Sequence, residues 1–208
     1  MTKLNILYED NHIIVVVKPA GILSQKAKPS DIDMLTLIKE YLKEKYNKPG
    51  NVYLGLVHRL DRPVSGIMVF AKTSKAAARL SKQITDNKMQ KHYYAIVEGY
   101  LEEKSGTLKD KIEKLDNKKV LLNTPNGKDA LLEYEVKKEK DNYSLVDIKL
   151  ITGRYHQIRL QFSSRNHPLL GDALYGKQTG ENVSLFAQTI ILPSNNKRNA
   201  NIWNKTNW

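Results

Sequence analysis

Residues 58–66 read HRLDRPVSG. Asp61 stands two residues after Arg59 and one before Arg62, with His58 upstream and a Pro-Val-Ser-Gly turn downstream. Cationic neighbours favour the charged form of a carboxylate. Such a group suits a nucleophile or a base, and it suits an ion-pair anchor equally well. Alternation in a strand over 54–60 would send Leu60 inward and leave Arg59 and Asp61 on the opposite face. The Pro63–Gly66 turn would then expose that face at a strand end.

A second cluster is LITGRYHQIRLQF, residues 150–162. Gly153 lets a strand turn into a helix over 155–165, and Arg154, His156, Gln157 and Arg159 gather in its first turns. Helix N-termini favour anions, so these four side chains suit phosphate or sugar contacts. An arginine here also suits a carboxylate partner such as Asp61, because a guanidinium can hold it bidentately. The polar face of an ordinary amphipathic helix, with Ile158 and Phe162 toward the core, reads the same way.

A third stretch, KHYYAIVEG at residues 91–99, has strand character. Tyr93 and Ala95 share one face, His92 and Tyr94 the other. A tyrosine so placed can stack on a base or move a proton, or simply pack in a sheet. The fourth, HPLLGDALYG at residues 167–176, reads as scaffold: a loop stiffened by Pro168, Gly171 and Gly176 and held by Asp172 and Tyr175.

Other chemistries find less support. His58, Asp61 and His156 make a thin metal-ligand set, and nearby arginines repel a divalent cation. Ser65 with His58 and Asp61 lacks the G-x-S-x-G elbow of a nucleophilic serine. Neither common glycine-rich phosphate loop occurs, and the chain has no cysteine. No metal and no cofactor are expected.

The elements that must position these groups alternate between strand and helix patterns. Strands are expected over 4–8, 12–18, 54–60, 66–72, 92–100, 121–123, 129–138, 143–152 and 185–192. Helices are expected over 33–46, after an Asp-rich cap, over 75–87, after Thr73-Ser74, and over 155–165. Short turns make most strand pairs antiparallel, so the fold class is α+β, with helices flanking a mixed, mainly antiparallel sheet. The polar, Lys-rich region 103–128 reads as a surface insertion or an RNA-facing lobe. No repeat or linker divides the chain, so residues 1–208 are read as one domain.

The 208 residues are 40% hydrophobic and 27% charged, enough for a buried core of one large domain. No apolar stretch reaches the ~20 residues of a membrane span. The N-terminus meets acidic residues too early for a secretory signal, so a cytoplasmic location is expected. With 34 Lys+Arg against 22 Asp+Glu, the net charge is +12. That excess favours polyanionic partners, chiefly nucleic acid.

Taken in order, HRLDRPVSG, GIMVFAKTSKAAARLS, KHYYAIVEG, ITGRYHQIRLQF and HPLLGDALYG resemble the RluA branch of the pseudouridine synthases, over residues 6–192. The resemblance implies that family's fold, a mixed sheet of two halves around a central basic cleft. It implies isomerisation of uridine to pseudouridine within structured RNA, ribosomal or transfer. It puts the catalytic aspartate at Asp61, the active-site tyrosine at Tyr93 and the basic partner of the aspartate at Arg154. Arg59 would help open the RNA and hold the displaced base. Arg62, His156, Gln157 and Arg159 join it as expected RNA contacts. The target base must be flipped out, at a cost of a few kcal/mol.

Two positions depart from the family pattern: Pro63-Val64 stands where an Asp-Thr pair is frequent, and Tyr155 where a threonine is usual. A small RNA-binding domain that many members carry ahead of the catalytic one is expected to be absent, and so is an obligate protein partner; a monomer is expected. The stretch NNKRNANIWNKTNW near the end matches nothing in the pattern, and its tryptophans are expected to pack on the sheet. The alternative function is an RNA-binding or RNA-folding protein that keeps the same cleft without turnover. A metal-dependent nucleic-acid hydrolase is a more distant reading.

Overall fold

The structure is a computed structural model, and it describes residues 4–116, 119–176, 182–193 and the backbone of 200–203. The first half of the chain runs β1 (Asn5–Glu9), β2 (Ile13–Lys18), α1 (Met34–Lys45), β3 (Gly55–Leu56), β4 (Ser65–Ala71) and α2 (Ser74–Thr85). Then follow β5 (Gln90–Glu98), β6 (Ser105–Lys114), β7 (Val120–Leu122), β8 (Lys128–Lys140) and β9 (Tyr143–Leu150). The last elements are α3 (Gln157–Ser163), β10 (Leu185–Leu192) and β11 (Ala200–Trp203). This is α+β, with antiparallel pairing of β1 with β2, β2 and β3 with β4, β5 with β9, β6 with β7 and β8, β8 with β9, and β10 with β11. The side chain of Trp203, and Trp208 altogether, lie outside the described residues.

The chain divides into two compact units, Met1–Met89 with Ala187–Trp208, and Gln90–Phe186. In the first, strands lie in the order β1–β2–β4–β10, with β3 beside β4 and β11 beside β10. Ile14, Val15 and Val16 are wholly buried, as are Ile67 to Ala71, so these strands are apolar on both faces. One face packs Val15, Ile67, Val69 and Ala71 against Ala76 and Leu80 of α2. That helix starts where Thr73 accepts a hydrogen bond from the Ala76 N–H, and α1 starts where Asp33 accepts one from Thr36. Gly66, opposite Lys18 in the β2–β4 register, has φ 131°. A Cβ there would stand 2.3 Å from the Ala187 nitrogen, so only glycine lets the two backbones approach.

In the second unit the order is β5–β9–β8–β6–β7. β8 and β9 join through Asp141 and Asn142, both at positive φ, as a tight two-residue hairpin demands. β5 alternates as expected, with Tyr93, Ala95 and Val97 buried and His92, Tyr94 and Ile96 half-buried. The region 103–128, read from sequence as an insertion or lobe, contains a ten-residue strand, β6, paired with β8 from Ser105 to Ile112 and with β7 at its end.

Candidate active site

Asp61 lies on a loop, not at the end of a strand. The strand expected over 54–60 is cut to the two residues of β3, because the following backbone is bonded by side chains. Ser24 Oγ donates to the Leu60 carbonyl (2.9 Å) and accepts from the Leu60 N–H (3.1 Å). His58 Nε2 accepts from the Val69 N–H at 3.0 Å. The Arg62 carbonyl accepts from the Gly21 N–H at 2.9 Å and from Lys18 Nζ at 3.2 Å. The Val64 N–H closes a turn onto the Asp61 carbonyl. Leu60 and Val64 are buried on either side, so the backbone of Asp61 is held at both neighbours while the residue is partly exposed.

Lys18 is the residue that sequence reading missed. It is wholly buried and bonds Pro19 O (3.0 Å), Ile22 O (2.7 Å) and Arg62 O. Burial drives its pKa down to about 8, and the negative charge of Asp61 works against that fall. The available signal was its phase: in IIVVVK, Lys18 follows Ile14 and Val16 on one face. Arg59 and Arg62 are both exposed, and Arg62 Nε donates to the Gly21 carbonyl.

Tyr93 and Arg154 belong to the second unit, Asp61 to the first. Tyr93 sits mid-strand opposite Ile148 and is 7% exposed. Arg154 follows Gly153 in the turn between β9 and α3, and its Nε donates to the Asp129 carbonyl at 2.8 Å. The turn is fixed by Gln157, whose Oε1 accepts from the Arg154 N–H (2.9 Å) and the Thr152 hydroxyl (2.9 Å). Gln157 Nε2 donates to Gln161 Oε1, and Gln161 Nε2 donates to Asp110 Oδ2, which also receives Arg165.

Two residues expected to contact RNA, Gln157 and Arg159, are buried and bonded within the protein. Gln157 is buried and fully engaged in holding the Arg154 turn. Arg159 is buried and grips Asp172 through two 2.7 Å bonds, so it anchors the 167–176 loop to α3. The helix is also shorter than the expected 155–165, because His156 adopts the left-handed conformation at φ 54° and α3 begins only at Gln157. His156 is partly exposed, stacked on Tyr155 at 3.8 Å and bonded to the Tyr175 hydroxyl at 2.8 Å. Lys114 covers the Tyr155 ring at 4.8 Å. Among the described residues no three His, Asp or Glu side chains gather as a metal-ligand group. Nor is any described helix long and apolar enough to cross a membrane.

Comparison with known proteins bears on what these groups do. The family described as RNA pseudouridylate synthase matches residues 12–164. An Aquifex aeolicus protein named "Uncharacterized RNA pseudouridine synthase" is 35% identical over 198 residues, which are 91% of this chain and 62% of that protein. "Ribosomal large subunit pseudouridine synthase D" of Borreliella burgdorferi is 35% identical over 195 residues, 91% of this chain and 59% of that one. The chain thus spans about three fifths of the length of these relatives. In fold it is similar to human RNA pseudouridylate synthase domain containing 4, with a TM-score of 0.82 at 23% identity, covering 97% of this chain and 88% of that one. The match to the family spans β2 through α3, a range that includes Asp61, Tyr93 and Arg154, so the chain belongs to the RNA pseudouridylate synthase family.

Proposed function

We propose that the chain converts uridine to pseudouridine in structured RNA, ribosomal or transfer, as a cytoplasmic monomer without a cofactor. The observation that carries the reading is the loop of Asp61. Its neighbours Leu60 and Arg62 are tied down by Ser24, Gly21 and Lys18, while Asp61 as a residue stays partly exposed. A fold that spends a buried lysine on one short loop is holding a reactive group in place. The family match and the names of the relatives, several of them ribosomal large subunit synthases, support RNA as substrate.

The reaction balances without a co-reactant. The glycosidic bond from C1′ to N1 breaks, the base turns, and C1′ bonds to C5. The C5 proton is lost and N1 gains one. Asp61 attacks the anomeric carbon, abstracts a sugar proton or adds to the uracil ring; all three routes need its carboxylate. Tyr93 stacks on the base and takes part in the final proton loss, and Arg154 aims the carboxylate. Arg59 and Arg62, both exposed, and His156 contact the RNA.

Asp61→Asn tests this. The variant keeps the shape and removes the charge. Pseudouridine mapping of ribosomal and transfer RNA treated with each protein should find modification by the wild type and none by the variant, with RNA affinity retained. Modification at the wild-type rate by Asp61→Asn would refute the assignment; a wild-type protein that binds RNA and modifies nothing would favour the non-catalytic alternative.

A further inference from the structure

Two of the desolvated lysines, Lys18 and Lys91, are treated by the fold in opposite ways. Lys18 is wholly buried, and its three ammonium protons meet three backbone carbonyls. Lys91, the second residue of β5, is half-buried, and burial pushes its pKa down. Among the described residues its ammonium makes no hydrogen bond or ion pair, and no carboxylate offsets the loss of water. A desolvated cation with nothing opposite it is costly to keep. A methionine would fill the same stem volume without that cost.

The surroundings of the ammonium are specific. By alternation Lys91 shares a face of β5 with Tyr93 and Ala95. Its partner across the sheet is Leu150, the last residue of β9, after which the chain turns through Gly153 to Arg154. A Cβ placed on Gly153 would lie 3.3 Å from Lys91 Nζ, so the ammonium sits close against this turn. Gly153 is exposed, and Lys91 Nζ is not among the enclosed partnerless atoms, which are Gln83 Oε1, Glu98 Oε1 and Asp147 Oδ1 among the described residues. The tip of Lys91 therefore reaches solvent beside the turn. Arg154, next along, has given one of its five N–H groups to the Asp129 carbonyl.

We propose that Lys91 and Arg154, on either side of the Gly153 turn, form a phosphate subsite that grips the RNA backbone beside the nucleotide facing Tyr93. This rests on the reading of the chain as an RNA-modifying enzyme. With no carbonyl meeting this ammonium as three meet Lys18, an anion is the partner that repays its desolvation best. The permanent anions of RNA are its phosphates. The bare Cα of Gly153 keeps the exposed turn narrow beside the Lys91 ammonium. Lysine supplies a point charge there and arginine a fork, the two common modes of phosphate recognition.

The test uses the full chain and a hairpin RNA with a seven-uridine loop, bound over a range of salt. Removing one phosphate contact in Lys91→Met should flatten the slope of log affinity against log salt by about 0.7–0.9. Lys91→Arg should keep the slope. Gly153→Ala, whose methyl enters the space against Nζ, should weaken binding severalfold in a protein that melts as the wild type does. Replacing loop phosphates one at a time by uncharged methylphosphonates should reveal one position that matters to the wild type and not to Lys91→Met. If Lys91→Met keeps the wild-type slope and every methylphosphonate penalty, the subsite is refuted, and a lowered melting temperature would then mark Lys91 as structural. These binding readouts need no turnover. Failure of the Asp61 assignment would appear instead as modification by Asp61→Asn with the Lys91 slope change intact.

Discussion

Lys18 Nζ donates to the carbonyl of Arg62 at 3.2 Å, across 44 residues of sequence. The same nitrogen bonds the carbonyls of Pro19 and Ile22, so one buried charge ties the end of β2 to the residue after Asp61. Lys18→Met would strand the carbonyls of Pro19 and Ile22, each worth about 1–3 kcal/mol if left unsatisfied, and would leave the Arg62 carbonyl to the Gly21 N–H alone. We expect a lower melting temperature, and turnover that falls more than RNA affinity does. The pH dependence has a definite sign. Burial lowers the folded pKa to about 8, below the usual lysine value, so the unfolded chain holds this proton more tightly. The cost of the buried charge is complete below pH 8 and is relieved as pH rises above it. Paired urea melts at pH 7.5 and 9.5 should show the wild type gaining stability relative to Lys18→Met. A pH-independent difference would remove the charge from the explanation.

The pair Arg159–Asp172 is expected to act on stability and not on RNA. Both side chains are buried, and the carboxylate also accepts the Leu174 and Tyr175 N–H groups. Arg159→Met leaves that carboxylate without its counter-charge, which costs about 3–5 kcal/mol in comparable buried pairs. The melting temperature should drop sharply while the salt slope of RNA binding in the folded fraction stays unchanged. A flattened slope with an unchanged melting temperature would restore Arg159 to the RNA surface.

Sequence patterning revealed the strands that carry apolar alternation or runs, such as β2, β5 and β10, because burial of one or both faces leaves a direct imprint on residue type. β6 left a faint one: among its ten residues only Leu108 and Ile112 are buried hydrophobics, and the rest are Ser105, Gly106, Thr107, lysines and acids. The loop around Asp61 was misread as a strand because its apolar residues Leu54, Leu56 and Leu60 imitate one. What prevents the strand is hydrogen bonding from Ser24 and Lys18, which sit 36 and 44 residues from the groups they bond. Such long-range polar contacts have no local period. The same limit hid the fate of Gln157 and Arg159, whose side chains read as a polar face until their partners Gln161 and Asp172 were seen.

Glu9 anchors the other end of the first unit and gives it an acid limit. Its carboxylate accepts Lys45 (2.8 Å), Lys72 (2.7 Å), Tyr46 (2.7 Å) and Tyr41 (3.0 Å). Burial alone would raise its pKa, but these four donors prevail and bring it to about 2. A lowered carboxylate pKa stabilises the fold above the unfolded value near 4.5, and that stability fades as pH falls toward 2. Glu9→Gln should therefore melt earlier than wild type at pH 7, and the gap should close between pH 4.5 and 2. A constant gap across that window would contradict the ion-pair account.

The amide relay behind Arg154 offers a test of positioning without touching the arginine. It runs from the Arg154 N–H through Gln157 and Gln161 to Asp110, whose carboxylate also holds Arg165 and Asn123. Burial raises the Asp110 pKa, and the bonds from Arg165, Gln161 and Asn123 more than reverse that rise. Gln161→Leu removes the middle link and should cost about 1–3 kcal/mol, or a few degrees of melting temperature. It should lower turnover severalfold with little change in RNA affinity, because the turn that bears Arg154 loosens. Gln161→Glu keeps the shape but points a carboxylate at Asp110, so at pH 7 it should be worse than leucine. Its defect should shrink as pH falls through the carboxylate range, since protonation restores a donor toward Asp110. If the two variants behave alike at every pH, the relay is mere packing and Arg154 is placed by the Asp129 carbonyl alone.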